Sequence, residues 1–414
     1  MKLTVIGLGY IGLPTALLFA SKNVDVVGVD VNESVVNKLN NGQLHIEENG
    51  MEELLVQSLD SKKFKASTTV EEADYYIIAV PTPHLEDNSC DVSYLKSAVE
   101  KLQGVIKKGD TVIVESTIAP RTTEDVVQPM IESYGFEVGK DVYLAHCPER
   151  VLPGKIIHEM VHNNRIIGGI TDACTKKAID LYKVLVQGKL LETKASTAEM
   201  SKLMENTYRD VNIALANELV KISDTLKVDA LDVIKLANEH PRVNIHLPGP
   251  GVGGHCLAVD PYFIVASDEK NAQIISKSRA INNSMPSFVI EKVNEIMKSI
   301  KGKKITVLGL TYKGNIDDIR ESPALDIYHE LKLKSEFEVV AQDSHVHLDW
   351  VENDIEKALN DSDLALVLTD HNEYKNISVE VLSAMKNKVI FDTKNIVNSD
   401  DSVTYYNFNN IYEI

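Results

Sequence analysis

Residues 3–20 read LTVIGLGYIGLPTALLFA: a strand-forming run, a turn containing Gly7, Gly9 and Gly12, and an apolar helical run. Glycines in the pattern G-x-G-x-x-G let a pyrophosphate approach backbone N–H groups at the start of a helix. The pattern alone is a weak signal. Asp30 strengthens it, because it ends the next apolar run, where a carboxylate accepts the hydroxyls of an adenosine ribose and repels a 2′-phosphate. We therefore predict a site for NAD rather than NADP.

Further strand-forming runs follow in the first third of the chain, namely VDVVGVD, ADYYIIAVP and DTVIVEST. Helical or polar segments separate them, which predicts a parallel sheet with helices on both faces. The same order returns near the C-terminus as KITVLGLTYKG, FEVVAQD, SDLALVLTD and KVIFDT. In this second copy Thr311 stands where the middle glycine would be and Lys313 lies in the turn. A phosphate ligand other than a dinucleotide is the prediction there.

Residues 196–228 lie between the two copies and contain neither glycine nor proline. Ser196 and Glu199 have the spacing of a capping box, and a helix of this length would run roughly 50 Å. Two interpretations stay open for its apolar stripe, an ordinary buried core helix or a helix that also packs against a second subunit. The stripe consists of Met200, Leu203, Met204, Val211, Leu215, Leu219 and Ile222.

These patterns predict an α/β protein with two Rossmann-like, doubly wound domains joined by a long central helix and a helical dimerisation region. At 414 residues the chain is too long for a single core. The predicted boundaries are 1–190 for an N-terminal NAD-binding domain, 191–300 for the central helical domain and 301–414 for a C-terminal Rossmann-like domain.

The composition excludes several classes of protein. A formal net charge of −18 disfavours binding to nucleic acid or to anionic membranes, because both surfaces repel an acidic protein. Glycines and Pro14 interrupt the first apolar run, so we read it neither as a signal peptide nor as a membrane span. The four cysteines show no C-x-x-C pairing, which favours a reducing compartment and argues against structural zinc. We expect a cytoplasmic protein that binds no nucleic acid, membrane or metal.

The segment GPGVGGHCLAVDP, residues 249–261, places Cys256 at the end of a glycine-rich loop and four residues before Asp260. A packed core thiol is the usual state of such a cysteine. A nucleophilic thiol would need a nearby cation, because at its ordinary pKa only a small fraction is thiolate at neutral pH. Lys202 and Asn206, one helical turn apart, offer an ammonium and an amide donor, although a solvated lysine is the commoner explanation of that spacing.

Six segments occur in order along nearly the whole chain: GLGYIGLP, STIAP, CPER, EMSKLMENTYRDVNI, HPRVNIHLPGPGVGGHCLAVDP and YKGNIDDIRESPAL. Together they resemble the UDP-glucose/GDP-mannose dehydrogenase family. The resemblance implies an NAD-dependent, four-electron oxidation of a sugar C6 alcohol to a carboxylate through a bound aldehyde, with the C-terminal domain binding the UDP-sugar. It implies that the Cys256 thiolate adds to the aldehyde, and that the resulting thiohemiacetal is oxidised to a thioester and then hydrolysed.

The resemblance also implies roles for residues at matching motif positions. Lys202 and Asn206 would stabilise negative charge on oxygen, and Asp260 would orient or deprotonate the hydrolytic water. Glu149, with Thr117, would hold a water and relay protons at C6. The implied cofactor contacts are Gly7, Gly9, Tyr10, Ile11, Gly12, Asp30, Pro81, Thr82, Thr117 and Arg320. The implied substrate contacts are Glu149, Arg150, Val151, Leu152, Lys202, Asn206, Arg209, Arg242, His255 and Lys313.

The substrate implied is a UDP-N-acetylhexosamine. Arg209 and His255 depart from the UDP-glucose members and fit those that oxidise N-acetylated sugars, and Arg242 is implied to reach the substrate of the neighbouring subunit in a homodimer. Overall similarity favours UDP-N-acetyl-D-mannosamine, used for surface polysaccharide, while the UDP-N-acetyl-D-glucosamine epimer stays open. Two other classes also stay open: a two-electron hydroxyacid-type dehydrogenase, which has no use for Cys256, and an NAD-binding sensor without catalysis.

Cys90 follows the segment VPTP and is expected at the same carboxyl edge as the active site. A reversible disulfide between Cys90 and Cys256 is one hypothesis for it, and an unrelated surface thiol is the other.

Overall fold

The structure is a computed structural model that describes residues 1–46, 48–152, 154–254, 256–399 and 402–414. The chain divides into two compact units. The first consists of Met1–Glu205 with Ala266–Asp268, and the second of Asn206–Val265 with Glu269–Ile414. The three-domain division expected from the sequence is finer and stays a prediction. Among the described residues, no helix combines the length and the apolar character needed to cross a membrane.

Eight strands form the sheet of the first unit: β1 (Lys2–Ile6), β2 (Asp25–Val29), β3 (Phe64–Ser67), β4 (Tyr75–Ile78), β5 (Thr111–Val114), β6 (Tyr143–His146), β7 (Arg165–Gly169) and β8 (Leu190–Lys194). Their order across the sheet is β3-β2-β1-β4-β5-β6-β7-β8. Only β6 and β7 pair antiparallel among these strands. The order reverses direction between β1 and β4, which is the point where doubly wound sheets bind ligands.

Both faces of this sheet are covered by apolar clusters. Ile77 of β4 contributes to one cluster, while its neighbours Tyr76 and Ile78 contribute to the other. This alternation follows from the two-residue period of a strand. The covering helices are α1 (Gly12–Ser21), α2 (Glu33–Asn40), α3 (Met51–Asp60), α4 (Ser93–Glu100), α5 (Gln128–Ser133), α6 (Ile156–His162) and α7 (Asp172–Tyr182).

Six strands form a second, entirely parallel sheet: β9 (Lys304–Leu308), β10 (Glu338–Gln342), β11 (Val351–Glu352), β12 (Leu364–Val367), β13 (Val389–Asp392) and β14 (Thr404–Asn407). Their order is β11-β10-β9-β12-β13-β14, so this sheet is also doubly wound. Every strand predicted from the sequence is present in one of the two sheets. The duplication expected from the sequence is therefore a duplication of topology.

The remaining helices belong to the central and C-terminal parts of the chain. They are α8 (Ala195–Leu226), α9 (Ala230–Asn238), α10 (Asp260–Ser267), α11 (Gln273–Asn283), α12 (Met285–Ser299), α13 (Pro323–Lys334), α14 (Ile355–Leu359) and α15 (Val379–Ser383).

The long helix predicted over 196–228 is confirmed as α8, which has 32 residues. The capping box is wrong in its details. Ser196 lies inside the helix, which already begins at Ala195, and the Glu199 carboxylate accepts hydrogen bonds from Arg121 and Thr123. A buried carboxylate needs hydrogen-bond donors, and those of Glu199 come from the adjacent segment of Arg121 and Thr123 rather than from the start of its own helix.

Candidate active site

The three glycines of the N-terminal turn have different surroundings. Gly7 has a φ of +93°, and a Cβ atom there would lie 2.5 Å from the carbonyl oxygen of Ala79. At Gly12 a Cβ atom would lie 1.8 Å from the carbonyl oxygen of Gly7. At Gly9, by contrast, the space within 4 Å of the Cβ position is open. The fold itself requires Gly7 and Gly12, whereas the space at Gly9 suits a ligand that approaches the backbone.

Asp30 follows β2 and reaches the same turn. Its Oδ2 accepts a hydrogen bond from the Leu8 N–H at 3.0 Å, and its Oδ1 accepts one from the Asn32 N–H at 2.9 Å. The side chain is only partly buried, and a carboxylate can accept further bonds from ribose hydroxyls. The first turn of α1 has no side-chain cap, and while the Leu13 N–H donates to the Gly9 carbonyl oxygen, the Gly12 N–H is left for an anion. The open space at Gly9, the backbone N–H at the start of α1 and the Asp30 carboxylate together fit NAD.

Three of the implied cofactor contacts, Pro81, Thr82 and Thr117, follow β4 and β5, which are neighbours in the sheet. Thr82 Oγ1 donates a hydrogen bond to the carbonyl oxygen of Thr117 at 2.5 Å, so these two loops are joined. Pro81 and Tyr10 are exposed, and Ile11 is half-buried. The carboxyl edge that carries the glycine turn therefore also carries Pro81, Thr82 and Thr117.

Glu149 follows β6 and has only 10% of its side chain exposed. Arg165 in β7 donates from Nη2 to Glu149 Oε2 at 2.5 Å, and the Arg150 N–H donates to Glu149 Oε1 at 2.7 Å. Both carboxylate oxygens thus accept a hydrogen bond from the protein. This fixes the orientation of the side chain that we expect to relay protons.

Arg165 lies in a buried polar cluster that the sequence analysis missed. It donates to Glu115 Oε1 at 2.8 Å, and its guanidinium lies 4.6 Å from the centre of the Tyr182 ring. Glu115 also accepts bonds from the hydroxyls of Tyr182 and Thr15. Burial raises the pKa of Glu115, and the charge of Arg165 opposes that rise. The one local signal for this cluster is a charged residue at the head of the strand sequence RIIGG.

The four cysteines differ in their exposure. Burial raises the pKa of Cys147 to about 11, so that its thiol stays protonated at neutral pH. Cys174 is buried as well, Cys90 is partly buried and Cys256 is exposed. Cys90 forms an isolated bridge with His84 in the loop after β4, and its disulfide with Cys256 stays a prediction. Cys256 is thus the most exposed of the four thiols.

The segment after Glu149 is anchored at two points. Arg150 Nη1 donates to Glu205 Oε1 at 2.6 Å, and the Leu152 N–H donates to Glu159 Oε2 at 2.9 Å. Val151 packs against the apolar core, whereas Leu152 is exposed. The backbone of this predicted substrate-binding segment is therefore held in place.

Cys256 and Asp260 lie four residues apart in a turn that leads into α10. The Asp260 N–H donates to the Cys256 carbonyl oxygen at 2.8 Å, and Asp260 itself is buried. Asn206 on α8 donates from Nδ2 to Asp260 Oδ2 at 2.6 Å. An amide carries two N–H bonds, so the second can serve a substrate oxygen. The structure thus brings three predicted catalytic residues together within the second unit.

The glycine-rich loop before Cys256 packs against the C-terminal half of the chain. A Cβ atom at Gly253 or Gly254 would lie 2.8 Å from the side chain of Tyr312, and one at Gly251 would lie 2.8 Å from the Pro323 ring. Glycines in such a loop can also allow the backbone to approach a ligand closely. The close neighbours that the structure shows are Tyr312 and Pro323, and the sequence contains no local signal for either contact.

A buried ion pair supports the same loop. Arg279 Nη1 donates to Asp210 Oδ1 at 2.7 Å, and Asn282 Nδ2 donates to the same oxygen at 2.8 Å. Asn217 donates to Asn282 Oδ1 and accepts a bond from the Gly249 N–H, each at 2.9 Å. This series of bonds connects α8, α11 and the first residue of the glycine-rich loop.

The remaining predicted contacts lie mainly at the surface. Arg209, Arg242 and Lys313 are exposed, and the exposed Arg320 donates from two nitrogens to the carboxylate of Asp318, at 2.8 and 2.7 Å. Lys202 is buried on α8, one turn before Asn206. His255 lies outside the described residues.

Gly9 and Gly12 of the N-terminal turn allow a direct test of the dinucleotide site. We expect Gly9→Ala to leave the melting temperature unchanged but to weaken NAD binding by about tenfold or more, because the methyl group enters the space a pyrophosphate needs. Gly12→Ala, the matched control, should destabilise the fold, because its Cβ overlaps the Gly7 carbonyl. Calorimetric titration with NAD and thermal melts separate the two effects. Unchanged NAD affinity in Gly9→Ala would contradict the assignment.

The buried cluster predicts a large and pH-dependent loss of stability for Arg165→Met. We expect the free energy of unfolding to fall by about 3–5 kcal/mol at neutral pH, because two buried carboxylates lose their counter-charge. The loss should shrink as the pH falls, because burial raises the pKa of Glu115 and a protonated Glu115 no longer needs a counter-charge. Arg150→Met, which breaks a more exposed pair, should cost about 1 kcal/mol or less. Urea unfolding measures both, and equal losses would show that the cluster is not held by charge.

Comparison with known proteins finds three family descriptions that match successive parts of the chain. The descriptions that match are the NAD binding domain, the central domain and the UDP binding domain of the UDP-glucose/GDP-mannose dehydrogenase family, at residues 1–186, 196–284 and 306–399. The NAD cofactor and the α/β fold class predicted from the sequence are confirmed.

Individual relatives cover nearly the whole chain. A solved UDP-N-acetyl-mannosamine dehydrogenase from S. aureus is 58% identical, with a TM-score of 0.94 and complete coverage of both chains. A UDP-D-ManNAc dehydrogenase structure from Pyrococcus horikoshii is 40% identical, with a TM-score of 0.93 and complete coverage of both chains. A UDP-N-acetyl-D-mannosamine dehydrogenase from Methanococcus maripaludis is 47% identical over 96% of this chain and 93% of its own length. With all three domains present in order, this chain belongs to the UDP-glucose/GDP-mannose dehydrogenase family of NAD-dependent nucleotide-sugar dehydrogenases.

Proposed function

We propose that this enzyme oxidises the C6 hydroxyl of UDP-N-acetyl-D-mannosamine to the carboxylate of UDP-N-acetyl-D-mannosaminuronate. The balanced reaction converts R–CH₂OH, two NAD⁺ and water into R–COO⁻, two NADH and three protons. The substrate is supported by the names of the relatives that match over the full chain. We propose that the reaction takes place in the cytoplasm and supplies a precursor of surface polysaccharide.

The observation that carries the proposed chemistry is the arrangement of Cys256, Asp260 and Asn206. An exposed thiol lies one turn before a buried carboxylate, and an amide donor holds that carboxylate at 2.6 Å. A two-electron dehydrogenase needs no nucleophile, whereas oxidation of an aldehyde to an acid requires one to add to the carbonyl carbon first.

NAD, when bound, accepts a hydride from C6 in each of the two oxidations. In the first, Lys202 and Asn206 stabilise the negative oxygen as the alcohol loses its proton. The Cys256 thiolate then forms a C–S bond to the aldehyde carbon, and the same two donors hold the oxygen of the thiohemiacetal. Loss of the second hydride leaves a thioester.

Hydrolysis of the thioester restores the thiol. Asp260 accepts a proton from the attacking water, the C–O bond forms, and the C–S bond breaks with release of the Cys256 thiolate. Asn206 fixes the direction of the Asp260 carboxylate for this step. Glu149, oriented by Arg165, holds a water with Thr117 and relays protons at C6.

Cationic side chains and one loop bind the nucleotide sugar. We assign Lys313 and Arg209 to the substrate's phosphate or acetamido groups. Both side chains are exposed, carry a positive charge and can donate hydrogen bonds. The anchored segment of Arg150, Val151 and Leu152 borders the sugar. His255 contacts the substrate and Arg320 contacts the cofactor, as in the family pattern.

We further propose that two copies associate through α8. Tyr208, Leu215, Ile222 and Leu226 lie on one side of this helix and are 54%, 52%, 48% and 66% exposed. Their spacing of seven, seven and four residues keeps them on one helical face, as in a helix–helix interface. In such a dimer the exposed Arg242 reaches the diphosphate of the neighbouring subunit's substrate.

The stoichiometry of the reaction is the first test. With limiting UDP-N-acetyl-D-mannosamine, absorbance should show two NADH formed per sugar consumed, and UDP-N-acetyl-D-glucosamine should yield little. Cys256→Ser should stop turnover to the acid while leaving NAD affinity unchanged, because the serine hydroxyl is a much weaker nucleophile at neutral pH. A single NADH per sugar, or full turnover by Cys256→Ser, would rule out the thioester route.

The proposed dimer makes a second prediction. Leu215→Glu combined with Ile222→Glu should shift the protein from a dimer to a 45.9 kDa monomer in sedimentation velocity, because two carboxylates cannot be buried in an apolar interface. Leu333→Glu is the matched control, since Leu333 is an 82% exposed leucine on α13, away from α8. A wild-type monomer, or a doubly substituted dimer, would contradict this interface.

A further inference from the structure

Glu199 is a buried acid that the mechanism above does not use. It lies in the second turn of α8 and is 1% exposed. Its Oε1 accepts bonds from the Thr123 N–H at 2.8 Å and the Thr123 hydroxyl at 2.6 Å, and its Oε2 accepts one from the Arg121 N–H at 2.5 Å. Three donors from one short segment therefore converge on a single carboxylate, which fixes that segment against α8.

The segment that Glu199 holds has an unusual backbone. Arg121 has a φ of +72°, a left-handed conformation that non-glycine residues rarely adopt. Such a conformation persists only where the surroundings impose it. The Arg121 side chain contributes by pairing with Glu124 and Asp125, and the Glu199 carboxylate holds the Arg121 amide itself.

This turn ends the loop that carries Thr117, four residues before Arg121. The carbonyl oxygen of Thr117 is already bonded to Thr82. At its other end the loop is bonded to Glu199, which precedes Lys202 on α8 by three residues. We propose that Glu199 is a positioning residue, whose ionised carboxylate holds the Thr117 loop in register with the part of α8 that carries Lys202. The inference rests on the proposed function, in which Thr117 and Lys202 act at C6.

Protonation of Glu199 would weaken this contact. A carboxylate accepts bonds at both oxygens, but a carboxylic acid places a hydrogen opposite one of the donors. Burial raises the pKa of Glu199 to about 7, the bonds from Thr123 and Arg121 oppose the rise, and the nearby Glu124 adds to it. Glu124, Asp125 and Arg121 are the charged side chains of the segment packed on Glu199. Above this pH the contact is complete, and below it the enzyme should lose activity.

Thr123→Val tests the proposal with a small change. The substitution removes one donor to the ionised form, so the pH at which half of the activity is lost on the acid side should rise by about half a unit or more. The rate at high pH should stay within about twofold of wild type. Thr122→Val is the matched control, because the Thr122 hydroxyl donates to the Ala119 carbonyl at 2.7 Å and not to Glu199. The fall of its activity on the acid side of the pH–rate profile, the acid limb, should coincide with that of wild type.

Glu199→Gln provides the second variant. It should abolish this acid limb and lower kcat at high pH by about tenfold, with KM for NAD and sugar within about twofold, since the amide cannot accept three bonds. Acid limbs that are identical in wild type, Thr123→Val and Glu199→Gln would overturn the proposal. So would a Glu199→Gln enzyme with the wild-type rate.

A readout without substrate separates this inference from the proposed function. Folded Glu199 binds a proton between about pH 4.5 and about pH 7, where an unfolded glutamate has released it. The melting temperature of wild type relative to Glu199→Gln should therefore fall as the pH rises through that window and then level off. If this shift appears but UDP-N-acetyl-D-mannosamine yields no NADH, the proposed substrate is contradicted while the proposed titration of Glu199 is supported. A constant difference in melting temperature would contradict the titration whatever the substrate.

Discussion

Arg165 places a guanidinium where only 5% of the side chain meets solvent, and an unpaired charge in such a place costs several kcal/mol. Glu115 and Glu149 share that charge, because both accept a hydrogen bond from Arg165 Nη2. A shift of β7 by one residue would turn Arg165 to the other face of the sheet and leave both carboxylates unpaired. The pairing of Arg165 with these two carboxylates thus sets the register of β7, the partner of Glu115 and the direction of the Glu149 side chain.

Buried charges near the other functional side chains must be compensated in the same way. In the second unit, the buried Asp210 is paired with Arg279, and the amides bonded to them reach the loop that ends at Cys256. Glu199 has no cation among its hydrogen-bond donors and relies on two amides and a hydroxyl instead. This weaker compensation is consistent with a pKa of about 7 for Glu199.

Patterns that lie within one element were predictable from the sequence, and contacts between distant residues were not. Short β-branched apolar runs located β1, β2 and β9, and the absence of glycine and proline located α8. The contacts of Tyr312 with Gly254 and of Glu199 with Thr123 join residues that are far apart in the chain. Because no local periodicity encodes such pairs, the sequence indicated Glu199 only as an ordinary helix cap. Strands β7 and β8 were also missed, since RIIGG and LLETK each contain only two consecutive large apolar residues.

The two halves of the fold show how one topology acquires two ligands. In the first half the Leu8 N–H donates to Asp30, and in the second the Leu310 N–H donates to Asp343 in the same way, at 3.0 and 2.8 Å. Asp30 is partly exposed, whereas Asp343 is fully buried beside His371.

The surroundings of Asp343 explain why it cannot serve as a second ribose acceptor. The Asn315 N–H donates to His371 Nδ1, so the ring proton lies on Nε2 and is donated to Asp343 at 3.2 Å. Burial alone would raise the pKa of Asp343, but its bonds from His371 and from backbone amides outweigh burial and hold that pKa below its usual range. The buried Thr311 also fills the position that corresponds to the open Gly9. The second half therefore does not offer a dinucleotide the site that the first half offers, which agrees with the match of residues 306–399 to the UDP binding domain of the family.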